Sequence, residues 1–173
     1  DGVHYAITPV TVNDPGFVDL LERTREAVGE DAVLSVLALP VEPLPGVRLP
    51  VFLANRGERY WSTGFLLRIA ELCDVVVVSG SGTGMPGGSL YGGFMARQTE
   101  LALRTVPGDT GLRIGVPGAG EDSGDTATAA EAVRVALTGH GERDGFGLAV
   151  PAPDAMTEEE WAAFEEGWLA PRR

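Results

Sequence analysis

The run Asp74-Val75-Val76-Val77-Val78-Ser79 decides the fold of this 173-residue chain. Four consecutive valines without polar alternation are typical of a strand that is buried on both faces of a parallel sheet. Four further apolar runs rich in Val, Ile and Leu share this character, and they lie at residues 3–10, 32–39, 112–116 and 146–150. The sequence therefore predicts five buried strands that run parallel to one another.

Helical patterns alternate with these strands, at residues 14–28, 62–72, 90–106, 126–137 and 157–169. Asp14, Asp125 and Thr157 precede three of them as predicted N-cap residues. The alternation predicts an α/β chain of parallel (β/α) repeats. An eight-unit barrel needs roughly 250 residues. We therefore expect five βα units of a partial TIM-type barrel, forming a single domain over residues 1–173 that is a fragment of a longer barrel protein.

Composition excludes several classes of function. A formal net charge of −12 repels phosphate backbones and anionic membranes, so we expect no nucleic-acid partner. No apolar run approaches the ~20 residues that span a bilayer, so we also expect no membrane insertion. All 13 basic residues are Arg, which rules out a catalytic lysine and fits a GC-rich bacterial source. Cys73 is the one cysteine, accompanied by His4 and His140, so we expect no disulfide, metal or cofactor. The cellular compartment, whether cytoplasmic or extracytoplasmic, stays open.

The N-terminal segment carries the most specific motif. Asp1-Gly2-Val3-His4-Tyr5-Ala6-Ile7-Thr8 resembles the D-G-x-D-x-D-x-E strand of family 18 glycoside hydrolases, with the later acids replaced. The resemblance implies that the last position holds the general acid. It also implies that the position two residues earlier supports the acetamido group that acts as nucleophile. Here these positions are Thr8 and Ala6, which cannot donate a proton at useful pH.

The resemblance extends over nearly the whole chain. Residues 74–84 are similar to the strand that ends in M-x-Y-D and a glycine turn, with Ser79, Ser81 and Gly82 in place of Met, Tyr and Asp. Residues 114–119 are similar to the G-[VL]-P-x-Y strand, and residues 148–153 to the last strand. The resemblance implies a carbohydrate-related, glycosidase-like domain with little or no hydrolytic activity.

Candidate ligand-binding residues follow from this register and from the loops after the strands. They are His4, Thr8, Ser79, Ser81, Thr83, Glu121, Asp122 and Asp154. A plainer interpretation makes His4 a core histidine, His140 an exposed turn residue and the loop acids solvated. Among the aromatic residues, Trp61, Trp161, Phe164 and Trp168 are predicted to be core, by position or by helical spacing.

Three alternatives remain open. The first is a structural or interaction domain without a ligand. The second is an active glycosidase that uses displaced acids such as Glu121 or Asp154. The third is nucleotide binding at the 80–87 glycine loop, where residues 82–87 satisfy G-x-G-x-x-G between a strand and a helix. A partial barrel also exposes strand edges, so we expect self-association or pairing with a missing barrel segment.

Overall fold

The structure, a computed structural model, describes residues 1–42, 60–81, 88–117, 126–151 and 156–169. The strands are β1 (Gly2–Tyr5), β2 (Val33–Ala38), β3 (Val75–Val78), β4 (Gly111–Gly115) and β5 (Phe146–Ala149). The α-helices are α1 (Pro15–Val28), α2 (Thr63–Ala70), α3 (Ser89–Thr105), α4 (Thr126–His140) and α5 (Glu158–Phe164), the last followed by a π-helical segment, Glu165–Leu169. The five strands form one all-parallel sheet in the order β1-β2-β3-β4-β5. The predicted α/β fold of alternating strands and helices is confirmed.

The first strand is shorter than the sequence predicts. Its pairing with β2 ends at Tyr5 opposite Val36, so the expected strand over residues 3–10 is wrong beyond Tyr5. Residues 6–9 are exposed, and Pro9 has no N–H to donate to a ladder. The apolar pattern continues past Tyr5, but the paired backbone that would make it a strand does not.

Contacts divide the chain into two compact units. Unit 1 comprises Asp1–Ser79, Leu101–Arg113 and Arg143–Phe146, and unit 2 comprises Gly80–Glu100, Ile114–Glu142 and Gly147–Arg173. Within the described residues, no helix has the length and apolar character needed to cross a bilayer.

Trp61 organises the core of unit 1. It is 0% exposed, and its ring lies 4.8 Å from Phe65 and 6.0 Å from Phe17, measured between centroids. The indole Nε1 donates a hydrogen bond to the Val10 carbonyl at 2.9 Å. This bond satisfies the indole N–H of a buried aromatic side chain. It also holds the segment after β1 against Trp61, which lies two residues before α2. The predicted core position of Trp61 is confirmed.

The aromatic residues of α5 and of the π-helical segment after it meet in one cluster of unit 2. Phe164 is buried with Ala130 and Met156, while Trp161 and Trp168 pack on this cluster and remain partly exposed. Helix α5 begins with a capping box, in which the Thr157 hydroxyl accepts from an N–H of α5 and a carboxylate of the same turn accepts from the Thr157 N–H. The Asp14 carboxylate caps α1 by accepting from the Gly16 and Phe17 N–H groups, so both predicted caps are confirmed, while Asp125 lies outside the described residues.

An ion pair connects three elements of unit 1 at the amino ends of the strands. Asp74 Oδ2 accepts hydrogen bonds from Arg25 at 2.6 Å and from the Leu34 N–H at 2.7 Å. The same guanidinium donates to the Gly29 and Ala32 carbonyls. Partial burial alone would raise the pKa of Asp74, but the bonds from Arg25 and Leu34 outweigh it and lower that pKa. The carboxylate therefore stabilises the folded state in its charged form.

Arg143 performs a related task at the end of α3. Its guanidinium donates to the Val106 and Thr110 carbonyls at 2.8 Å and also to the Leu103 and Pro107 carbonyls. Burial lowers the pKa of Arg143, and the charge of nearby Asp109 acts in the opposite direction. One side chain thus satisfies a carbonyl of the last turn of α3 and three carbonyls of the segment that follows it.

Candidate functional site

The strands of unit 1 present two unlike faces. Ladder partners in parallel strands point to the same side, so Val36 and Val76 share one face while Ser35 and Val75 share the other. The first face is fully buried, with Leu34, Val36, Ala38, Val76 and Val78 all at 0% exposure. Tyr5 lies on this side, where its hydroxyl pairs with Thr24 of α1 at 2.8 Å. The helix-covered face is therefore the core.

We call the other side the open face and define it by His4, Val33, Ser35, Leu37, Val75 and Val77. His4 is exposed, Val33 is 47% exposed and the other four are half-buried. The valine run predicts strands buried on both faces, and in unit 1 this is wrong for the open face. Because strands in sequential order are joined by crossovers of one hand, their helices are expected on a single face. An unalternating run does not reveal that the two faces are buried to different degrees.

A histidine and a serine meet on the open face. His4 Nδ1 lies 2.6 Å from Ser35 Oγ, and the two residues are ladder partners of β1 and β2. The expectation that His4 is a core histidine is wrong, because its position in the register directs it away from the helices. Sequence reasoning did not select Ser35. Ser35 is marked in the sequence only as the single hydroxyl within the apolar run 32–39. Its position opposite His4 depends on the register of the sheet, which the sequence does not state.

The positions of the two expected acids lie just beyond β1. Ala6 and Thr8 are both exposed and follow the carboxyl end of that strand. Ser79 follows the carboxyl end of β3, is half-buried, and donates its backbone N–H to the Ala38 carbonyl at 2.9 Å. In unit 1 these positions thus occupy the strand edge that bears functional loops in (β/α) folds.

The remaining predicted residues divide into two groups. Ser81 is half-buried in unit 2, and His140 is exposed at the last position of α4 rather than in a turn. Several predictions fall outside the described residues, namely Gly82, Thr83, Glu121, Asp122 and Asp154, together with the glycine turn 82–87 and the loop 118–125. Among the residues whose positions are described, no cluster of three or more His, Cys, Asp or Glu side chains could hold a metal ion.

Cys73 lies at the amino end of β3, outside this site. It is 7% exposed, and burial raises the pKa of its thiol to about 12. A thiol with so high a pKa carries almost no thiolate at neutral pH, so Cys73 is a packing residue rather than a nucleophile.

The chain was compared with families, curated proteins and solved structures. No protein-family model matches it, and no curated protein or solved structure shows significant similarity to it. The class that the structure itself establishes is an α/β fold with an all-parallel five-stranded sheet.

Proposed function

We propose that this chain is a carbohydrate-related (β/α) domain, similar to family 18 glycoside hydrolases, that does not hydrolyse glycosidic bonds. One observation carries the proposal: Ala6 and Thr8, which the resemblance aligns with the two acids of the family, are exposed just beyond the carboxyl end of β1. An alanine and a threonine there offer neither a general acid nor a support for a nucleophile.

The order of the strands supports the barrel-type interpretation. A sheet ordered β1-β2-β3-β4-β5 runs in chain sequence, as consecutive strands of a (β/α) barrel do. Dinucleotide-binding sheets instead reverse their order at a switch point, and the cofactor binds in the crevice formed there. The strand order of the described sheet does not reverse, so the sheet forms no crevice of this kind. The alternative of nucleotide binding therefore lacks this support.

Restoring the acids tests the proposal directly. The unmodified chain is compared with the double variant Ala6→Asp/Thr8→Glu on chromogenic oligomers of N-acetylglucosamine, and binding of the unlabelled oligomers is measured by calorimetry. A matched control, Ala6→Asn/Thr8→Gln, has nearly the same shape without the acids. We expect binding by all three proteins and hydrolysis by the acid variant alone.

Other outcomes separate the alternatives. Hydrolysis by the unmodified chain contradicts the proposal, and its loss in Glu121→Gln or Asp154→Asn would assign the chemistry to displaced acids. Absence of both binding and hydrolysis in all three proteins also contradicts it. That result would favour an interaction domain, for which the open face is the supporting observation.

A further inference from the structure

The His4–Ser35 pair has the geometry of a general base and a nucleophile. The 2.6 Å separation of Nδ1 and Oγ is short for a nitrogen–oxygen hydrogen bond, and the ladder pairing of β1 with β2 fixes both backbones. With its proton on Nε2, the imidazole offers the Nδ1 lone pair to the serine hydroxyl. This is the contact by which a histidine activates a serine for attack.

We propose that Ser35 is a nucleophile that accepts an acyl group from activated carboxylic esters, with His4 as its general base. Ser35 Oγ attacks the ester carbonyl while its proton passes to His4 Nδ1. The alkoxy or phenoxy group then leaves, taking that proton, and an acyl-serine remains. Water, deprotonated by the same nitrogen, cleaves the acyl-serine, so that ester and water become a carboxylic acid and an alcohol.

The surroundings of Ser35 define the class of ester. Val75 is its ladder partner on β3, and Val33 and Leu37 stand two residues away along β2 on the same face. This apolar surface suits an aliphatic acyl chain or an aromatic leaving group. The N–H groups of Val33 and Leu34 donate to the Asp1 carbonyl and to Asp74, so they are not directed at a developing oxyanion. Esters with good leaving groups, such as aryl butyrates, are therefore the substrates.

The composition makes acylation easy to assign. The chain has no lysine, so no side-chain amine competes for the acyl group. Its one thiol, Cys73, is buried and has a raised pKa. The inference is independent of the carbohydrate proposal, because it uses neither Ala6 nor Thr8.

The test treats the full chain with p-nitrophenyl butyrate and follows both nitrophenolate release and butyrylated peptides by mass spectrometry. We expect Ser35 to be acylated before the other hydroxyls, including the exposed Ser89. Ser35→Ala should abolish this adduct, and His4→Gln should slow its formation about a hundredfold, a typical contribution of a general base. The matched controls Ser89→Ala and His140→Gln should react like the unmodified chain.

Two results would overturn the inference. One is the lack of a preferred Ser35 adduct in the unmodified chain when the reaction is quenched with acid before the acyl-serine is hydrolysed, a measurement that needs no variant to fold. The other is acylation of Ser35 at an unchanged rate in His4→Gln, with circular dichroism showing that the variant is folded.

Discussion

Replacing Asp74 by Asn tests how the amino ends of β2 and β3 are held to α1. The carboxylate accepts from Arg25 at 2.6 Å and from the Leu34 N–H at 2.7 Å, while Asn keeps one acceptor and loses the charge. A hydrogen bond to a charged group contributes about 1.5–3 kcal/mol. The Asp74 side chain is 45% exposed, so water screens the ion pair, which adds at most about 1 kcal/mol. Since Asn can still accept from Leu34, we expect Asp74→Asn to lower the free energy of unfolding by about 1–2 kcal/mol.

The effect depends on pH in a defined direction. The pKa of Asp74 is lower in the folded chain than its ordinary value of about 3.9. The stabilisation is therefore fully present above that ordinary value and is lost as the pH falls through the folded-state pKa. The difference in unfolding free energy between the unmodified chain and Asp74→Asn should be constant from about pH 7 to pH 5 and should shrink below about pH 4.

Urea unfolding followed by circular dichroism measures this difference, with Asp19→Asn as the matched control. Asp19 pairs with Arg23 one turn away on α1, and both side chains are more than half exposed, so its loss should cost less than about 0.5 kcal/mol. Equal losses for the two variants, or a loss for Asp74→Asn that does not change with pH, would refute the reasoning.

Three further predictions concern single side chains. Trp61→Phe removes buried volume and leaves the Val10 carbonyl without its indole donor, so the free energy of unfolding, measured in urea, should fall by about 2 kcal/mol. Thr157→Ala removes the hydroxyl half of the α5 capping box, and a thermal melt should show a loss of about 1 kcal/mol that Thr157→Ser largely avoids. Cys73, whose thiol pKa is raised to about 12, should resist a disulfide reagent at pH 8 in the folded chain and react promptly in urea; prompt reaction without urea would contradict its burial.

Features encoded by neighbouring residues were predictable from the sequence. The order of strands and helices, the caps at Asp14 and Thr157, and the burial of Trp61 all follow from apolar runs and capping side chains within a few residues of one another. The assignment of positions 6 and 8 in the resemblance to family 18 glycoside hydrolases rests on the register of one strand, and the replacement of the family's acids there stays a prediction.

Features that depend on contacts between elements distant in the chain were not predictable. Ser35 meets His4 across 31 positions of the chain, and Arg25 meets Asp74 across 49. No local pattern states which residues of two strands become partners, and a slip of one residue would reverse the faces. The valine run of β3 likewise does not say that Val75 and Val77 lie on the open face, where both are half-buried.

The arginine bonds to backbone carbonyls have a consequence for chemical labelling of this chain. Because the sequence contains no lysine, a side-chain amine for a dye or a crosslinker has to be introduced by substitution. Arg25 and Arg143 each bind several carbonyls through a planar fork, and the single ammonium group of lysine cannot span them. Arg68 on α2 is exposed. A lysine handle therefore belongs at position 68, where it would leave the carbonyls held by the other two arginines undisturbed.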